Sequence, residues 1–232
     1  MEQGKTLQSL TKNQSYKDLK SWLTYRRVRL DKKLKFLYLP NGKAMSGSID
    51  DLIGLNTGRV IHIKKETKLL IKTLNAIPSK QLDEIYKFTV VRNPWDRVVA
   101  AYFYLPRNKD ISIISDHSTN ALDSFRIREN PTVKDFQNFV KNILNKYGTY
   151  CYVDFRNQYD CMYYNSKKII NEVFYFEDMK PLPSFITEKS YPHKRKGPDK
   201  KPYSSFYDSE TRKIVEKLYS ADIEELGYKF EK

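Results

Sequence analysis

The chain has 232 residues, 40% of them hydrophobic and 14% aromatic. That fits one α/β domain with a sizeable core and excludes a disordered chain. Lys plus Arg number 42 against 28 Asp plus Glu, a net charge of +14. Such a balance implies an anionic partner, and a nucleotide, an anionic glycan, nucleic acid and an acidic membrane surface all qualify. A secreted disulfide framework normally carries more than the 2 cysteines found here, Cys151 and Cys161. The residues after Met1 stay polar, with no secretory apolar segment, and no apolar run approaches the ~18 residues of a membrane span. A cytoplasmic protein without a transmembrane segment is expected.

Residues 1–30 are polar and basic, with Leu7, Leu10, Leu19, Trp22 and Leu23 scattered among them. They read as an N-terminal helical or flexible arm, and residues 31–232 as a single domain. Residues 35–39 are a short apolar run stopped by Pro40, the signature of a buried strand. Helical character follows from Ser48, and a further helix is predicted over residues 66–74. A second strand covers residues 88–91, and a helix runs from Pro94 to about Tyr104. Residues 111–130 read as a long polar loop. Phe136, Phe139, Val140, Ile143 and Leu144 keep helical spacing behind Thr132, a good N-cap. A third strand falls at residues 173–176, a basic loop at residues 190–202, and a last helix on Thr211, Ile214, Val215 and Leu218. Strands alternating with helices predict a parallel sheet flanked by helices on both faces, with ligands beyond the C-terminal strand ends.

Two such ends carry anion-binding residue types. After the first strand comes Asn41-Gly42-Lys43-Ala44-Met45-Ser46-Gly47-Ser48-Ile49. Strand, small-residue loop and helix is the order of a phosphate cradle. Gly42 and Gly47 are expected to let backbone N–H groups approach an anion, with Lys43 supplying charge. The loop is not GxxxxGK[ST], because Ala44 follows Lys43 and the glycine spacing is absent. A plain strand-to-helix turn with a solvated lysine is the other reading of these residues. After the second strand comes Arg92-Asn93-Pro94-Trp95-Asp96-Arg97. Asn93 suits the N-cap and Pro94 the first helical position. Arg92 then emerges where a planar guanidinium can grip a phosphate, while Arg97 reads as a structural ion pair.

Together the two loops resemble the sulfotransferase family, its carbohydrate and bacterial branches in particular. Lys43, Ser48 and Ile49 match its 5′-phosphosulfate loop. Arg92, Pro94, Arg97 and Tyr102 match its 3′-phosphate pattern R-x-P-x-x-R-x-x-S-x-Y. Ala100 stands where that pattern has Ser, and Asn41-Gly42 lengthens the first loop. Gln158, Phe176-Glu177-Asp178, and residues 203–230 with Asp222-Ile223 continue the resemblance.

The resemblance implies a P-loop-like fold and transfer of a sulfuryl group from 3′-phosphoadenosine 5′-phosphosulfate (PAPS) to an acceptor hydroxyl. The acceptor it implies is a carbohydrate or glycoconjugate, and no metal or nucleic acid is involved. It places Lys43, Ala44, Met45, Ser46, Gly47, Ser48, Ile49, Arg92 and Ala100 around the donor, with Arg195, Lys196 and Gly197 of the basic loop closing over it. Lys43 is expected to stabilise the leaving phosphate, and His62, lying between the two motifs, to act as base. A P-loop-like nucleotide kinase and a non-catalytic polyanion- or nucleic-acid-binding protein are the alternatives that the fold type and the charge leave open.

Overall fold

The computed structural model describes residues 28–62, 72–105, 110–114, 121–189 and 201–231, together with Leu19, Leu23 and Lys68. For His62 and for residues 110–114 and 121–124 the backbone alone is described.

A five-stranded sheet organises the chain. Its strands are β1 (Arg29–Asp31), β2 (Phe36–Tyr38), β3 (Val60–His62), β4 (Tyr86–Val91) and β9 (Glu172–Tyr175), in the spatial order β3-β1-β2-β4-β9. The central strands are apolar throughout because both of their faces are covered. Phe36 and Tyr38 point to one side, where Tyr38 stacks on Phe88 at 4.9 Å and Ile49 and Leu52 of α1 (Ser46–Leu52) close the layer. Leu37 and Leu39 point to the other, against Ile61, Val91 and Leu82 of α2 (Ser79–Glu84). Helices therefore lie on both faces.

The sheet is mixed, not wholly parallel as the sequence predicts. β2, β4 and β9 run parallel, and β1 is antiparallel to both β2 and β3. Only four residues, 32–35, join β1 to β2, too few for a parallel crossover. Arg29 and Asp31 hide β1 from a hydrophobicity pattern, yet both are buried and paired. Arg29 grips Asp50 of α1 through Nε and Nη2 at 2.8 and 2.9 Å. Asp31 lies 3.3 Å from Arg59 Nε. With β1 in the sheet and Leu23 in the core, the packed region starts upstream of residue 31.

A third core is helical. It joins α3 (Pro94–Tyr102), α4 (Val133–Phe139) and α5 (Ser209–Leu218) through Trp95, Val99, Phe136, Phe139, Val215 and Tyr219. Thr132 caps α4 in a reciprocal capping box with Asp135, as expected. α4 continues through a π-helical stretch, Val140–Leu144, and a last turn, Asn145–Tyr147, to Gly148 at φ 73°. α3 stops at Tyr102, two residues before the expected end. A short helix, α6 (Ser220–Leu226), follows α5 and carries Asp222 inward.

The predicted loop at residues 111–130 is instead a two-stranded ribbon, β5 (Asp110–Ile114) with β6 (Ala121–Arg126). Such a ribbon rests on main-chain pairing, which a polar sequence does not announce. Two short strands, β7 (Tyr163–Tyr164) and β8 (Lys167–Lys168), form another. Most of the helix expected over residues 66–74 and the basic segment 190–200 lie outside the described residues. Among the described residues no helix is long and apolar enough to cross a membrane.

Asp208 caps α5, accepting from Thr211 N at 2.7 Å, and that backbone hydrogen bond holds its carboxyl down at about 2. A folded-state value below the unfolded one adds stability that is present above pH ~4 and is lost as pH falls toward 2. Asp208→Ala should cost about 1 kcal/mol in urea unfolding at pH 7. Its stability should also fall less steeply than the parent's between pH 4 and 2.

Candidate functional site

The two loops meet at one end of the sheet. Asn41 fixes the first. Its Nδ2 donates to Thr89 Oγ1 and Val90 O, both at 3.0 Å, and its Oδ1 accepts from Cys161 Sγ at 3.3 Å. Gly42 follows because a Cβ there would lie 2.6 Å from Asp154 Oδ1. The Asn41-Gly42 insertion thus cross-links β2 to β4 and makes room for a carboxylate.

The loop's conformational work falls on other residues than the sequence suggests. Neither Gly42 nor Gly47 takes a positive φ; Lys43 (64°) and Met45 (56°) do. Left-handed backbone costs a non-glycine residue about 1 kcal/mol, and it is the geometry from which anion-binding nests of N–H groups are made. Met45 is the N-cap of α1, and no side chain caps that end. The first intrahelical bond is Ile49 N to Met45 O, at 3.0 Å. The N–H groups of Ser46, Gly47 and Ser48 therefore have no intrahelical acceptor. Gly47 borders open ground, with no atom within 4 Å of where its Cβ would be. Ala44 and Ile49 are fully buried, so their side chains serve the core and only their backbone faces the loop. Lys43 Nζ lies 3.4 Å from Asp154 Oδ2 and over the ring of Tyr104.

Arg92 leaves β4 beside this loop. Gln158 clamps its peptide from both sides, Oε1 accepting from Arg92 N and Nε2 donating to Arg92 O, each at 2.8 Å. The guanidinium lies 4.4 Å over Phe176; Nε donates to Asp96 Oδ2 at 2.7 Å and Nη1 to Lys43 O at 3.0 Å. Nη2 sits 2.7 Å from the same Asp96 oxygen without an aligned hydrogen bond, and is buried. Asn93 caps α3 through Trp95 N, as expected; its own N–H donates to Glu177 Oε1 at 2.6 Å. Ala100 lies one turn beyond Asp96 on α3, half-buried. Tyr102 is buried among Phe136 and Phe139 and belongs to the core.

Beneath the loops lies a buried polar network. Arg97 donates from Nη1 to Asp154 O at 3.0 Å and from Nη2 to Arg156 O at 2.8 Å, with Asp222 Oδ2 at 3.8 Å. Asp222, fully buried, accepts from Gln158 N at 2.9 Å and Tyr159 N at 2.7 Å. Burial pushes its carboxyl above the usual range, while Arg97 and the two N–H groups pull the other way. Arg97 is structural, and through Asp154 and Gln158 it sets both loops.

His62 ends β3 in register with Arg29, which is in register with Tyr38. Its backbone therefore stands at the loop end of the sheet, two strands from β2; its side chain lies outside the described residues. So do Arg195, Lys196 and Gly197. No local sequence pattern marks Asp154, Asp96 or Tyr104 as part of the site, and none ties Asp154 to Lys43. Cys151 and Cys161 are buried and are not joined in a disulfide. Among the described residues no group of His, Cys, Asp or Glu is arranged to hold a metal ion.

Asp222→Asn removes the charge facing Arg97 and should cost about 3 kcal/mol, the expense of leaving one buried ion uncompensated. Urea unfolding measures it. The double replacement Arg97→Met with Asp222→Leu should recover none of that loss, because it also leaves the N–H groups of Gln158 and Tyr159 and the carbonyls of Asp154 and Arg156 without partners.

No curated protein and no solved structure matches the chain significantly. The model of the Sulfotransferase family matches residues 26–229. That span holds Lys43, Arg92, Gln158 and Asp222, and it covers most of the sequence: the chain belongs to the Sulfotransferase family.

Proposed function

We propose that the chain transfers the sulfuryl group of PAPS to a hydroxyl of a carbohydrate. The observation that carries this is the junction of the two loops, where Arg92 Nη1 donates to Lys43 O at 3.0 Å. Two cations from separate strand ends are thereby held side by side, as a donor with phosphates at both its 5′ and 3′ ends requires. The residues fit such a donor. The uncapped first turn of α1 and the left-handed Lys43 and Met45 suit the 5′-phosphosulfate. The Arg92 guanidinium, whose Nη2 pairs with Asp96 without an aligned hydrogen bond, suits the 3′-phosphate. Ala100 adds no hydroxyl there, so Arg92 carries more of that grip, with Arg195, Lys196 and Gly197 as further partners in the proposal.

In the reaction a bond forms from the acceptor oxygen to sulfur as the bond from sulfur to the 5′-phosphate oxygen breaks. Negative charge grows on that phosphate oxygen, and Lys43 with the first-turn N–H groups of α1 stabilises it. The acceptor's proton passes to His62, imidazole being the side chain best suited to take a proton near neutral pH. Asp154 and Tyr104 hold the Lys43 ammonium at the mouth of the loop. Its three donors let it keep Asp154 while it faces the leaving oxygen. The reading goes with a cytoplasmic location, where two cysteines without a disulfide are at home.

A thermal-shift comparison tests the donor. 3′-Phosphoadenosine 5′-phosphate should stabilise the chain and ATP with Mg²⁺ should not; the reverse result favours a nucleotide kinase. Lys43→Ala and His62→Ala should each lower the rate of sulfuryl transfer at least a hundredfold. His62→Ala should leave affinity for 3′-phosphoadenosine 5′-phosphate unchanged, and an unchanged rate in that variant would remove His62 as the base.

A further inference from the structure

A carboxylate stands at the centre of a loop whose other features all favour anions. Asp154 Oδ2 lies 3.4 Å from Lys43 Nζ, and the two side chains are only 12% and 15% exposed. An anion brought to Lys43 meets the repulsion of that carboxylate in partly buried surroundings, where salt screens it weakly. Restraint of the lysine alone does not explain an acid there, since the ring of Tyr104 also holds the ammonium, its centroid 2.7 Å from Nζ.

The fold builds the carboxylate into this position. Val153–Phe155 form a single 3-10 turn, in which Phe155 is fully buried. Arg97 Nη1 donates to Asp154 O at 3.0 Å and fixes the backbone from the side of α3. A Cβ on residue 42 would lie 2.6 Å from Asp154 Oδ1 and 3.2 Å from Asp154 Cα, so only glycine leaves the carboxylate room. The loop that supplies the cation Lys43 thus also makes a seat for the anion beside it.

The donor assigned above ends in a sulfuryl group, which carries one negative charge. A nucleotide diphosphate of the same shape ends in a phosphoryl group that loses its second proton near pH ~6 and then carries two. Shape does not separate the groups, because sulfur and phosphorus each hold three terminal oxygens in the same tetrahedral arrangement. Lys43 and the first turn of α1 attract the additional charge as they attract the first. We propose that Asp154 sets the specificity of this loop for sulfuryl over phosphoryl, its charge offsetting the extra attraction that a phosphoryl terminus would gain. The proposal rests on the sulfuryl-transfer reading above. It is selection by repulsion of the wrong ligand. At roughly 6 Å, in surroundings between water and a protein surface in polarity, one additional charge is disfavoured about tenfold in affinity.

The test is a calorimetric titration of the full chain at about pH 8, above the second phosphoryl dissociation, with no acceptor present. It compares PAPS with 3′-phosphoadenosine 5′-diphosphate. Both carry the same 3′-phosphate, so Arg92 and Asp96 contribute equally to each affinity. Asp154→Asn keeps the shape and removes the charge, and it should tighten the diphosphate about tenfold more than PAPS. Asp154→Ser removes the same charge with fewer atoms against Gly42 and should give the same shift. The diphosphate methylated on its terminal phosphoryl carries one charge there, and in both variants its affinity should change only as much as that of PAPS. Equal changes for PAPS and the diphosphate show a purely structural carboxylate and overturn the proposal. A methylated diphosphate that gains as much as the unmethylated one overturns it too. The donor reading survives both results, because PAPS still binds. If no nucleotide binds the parent chain, the donor reading falls and the proposal with it.

Discussion

The Asp222 carboxylate is sealed from water, and the loops after β2 and β4 both depend on how it is paired. It accepts from Gln158 N and Tyr159 N and faces Arg97. Gln158 passes that order to the peptide of Arg92. Arg97 passes it to the backbone of Asp154, whose carboxylate faces Lys43. A buried ion pair adds little net stability compared with an apolar replacement. Its service here is positional: α6, the turns at residues 153–161, the end of β4 and the first loop are held in one arrangement. The two arginines of the second motif thus differ in their partners. Arg97 faces Asp222 and the carbonyls of Asp154 and Arg156, while Arg92 pairs with Asp96 beside the first loop.

The first loop follows the same logic of preorganisation. Left-handed Lys43 and Met45 store strain, and the cross-links from Asn41 to Thr89 and Val90 resist its release. An anion bound there would meet donors already turned toward it, without first ordering the chain. Asp154 and Asp96 answer part of the charge of Lys43 and Arg92, which keeps two neighbouring cations compatible with a folded, partly buried site.

Much of this frame is legible in the sequence because its signals are local. The apolar runs that become β2 and β4, the caps Asn93 and Thr132, and the two motifs at strand ends all depend on near neighbours. What stays hidden depends on partners far along the chain. β1 carries Arg29 and Asp31, which look like surface residues until Asp50 and Arg59 meet them. Asp154 has no motif of its own. The glycines of the first loop mark a turn correctly but for the wrong reason: Gly42 clears space for Asp154, and Gly47 leaves ground open, while non-glycine residues take the left-handed backbone. Gln158, Glu177 and Asp222 are visible in the sequence only as points of resemblance. The structure gives each a physical task, clamping Arg92, holding Asn93 N, and anchoring the network.

The central claim is that Arg92, set by the network below it, recognises the 3′-phosphate of the donor. The direct measurement is a calorimetric comparison of 3′-phosphoadenosine 5′-phosphate with adenosine 5′-phosphate, in the parent chain and in Arg92→Ala. The account predicts that the 3′-phosphate tightens binding to the parent about thirtyfold, the equivalent of about 2 kcal/mol for a charged hydrogen-bond pair. It predicts that most of this advantage disappears in the variant. A parent that binds the two nucleotides equally, or a variant that keeps the full preference, would contradict it.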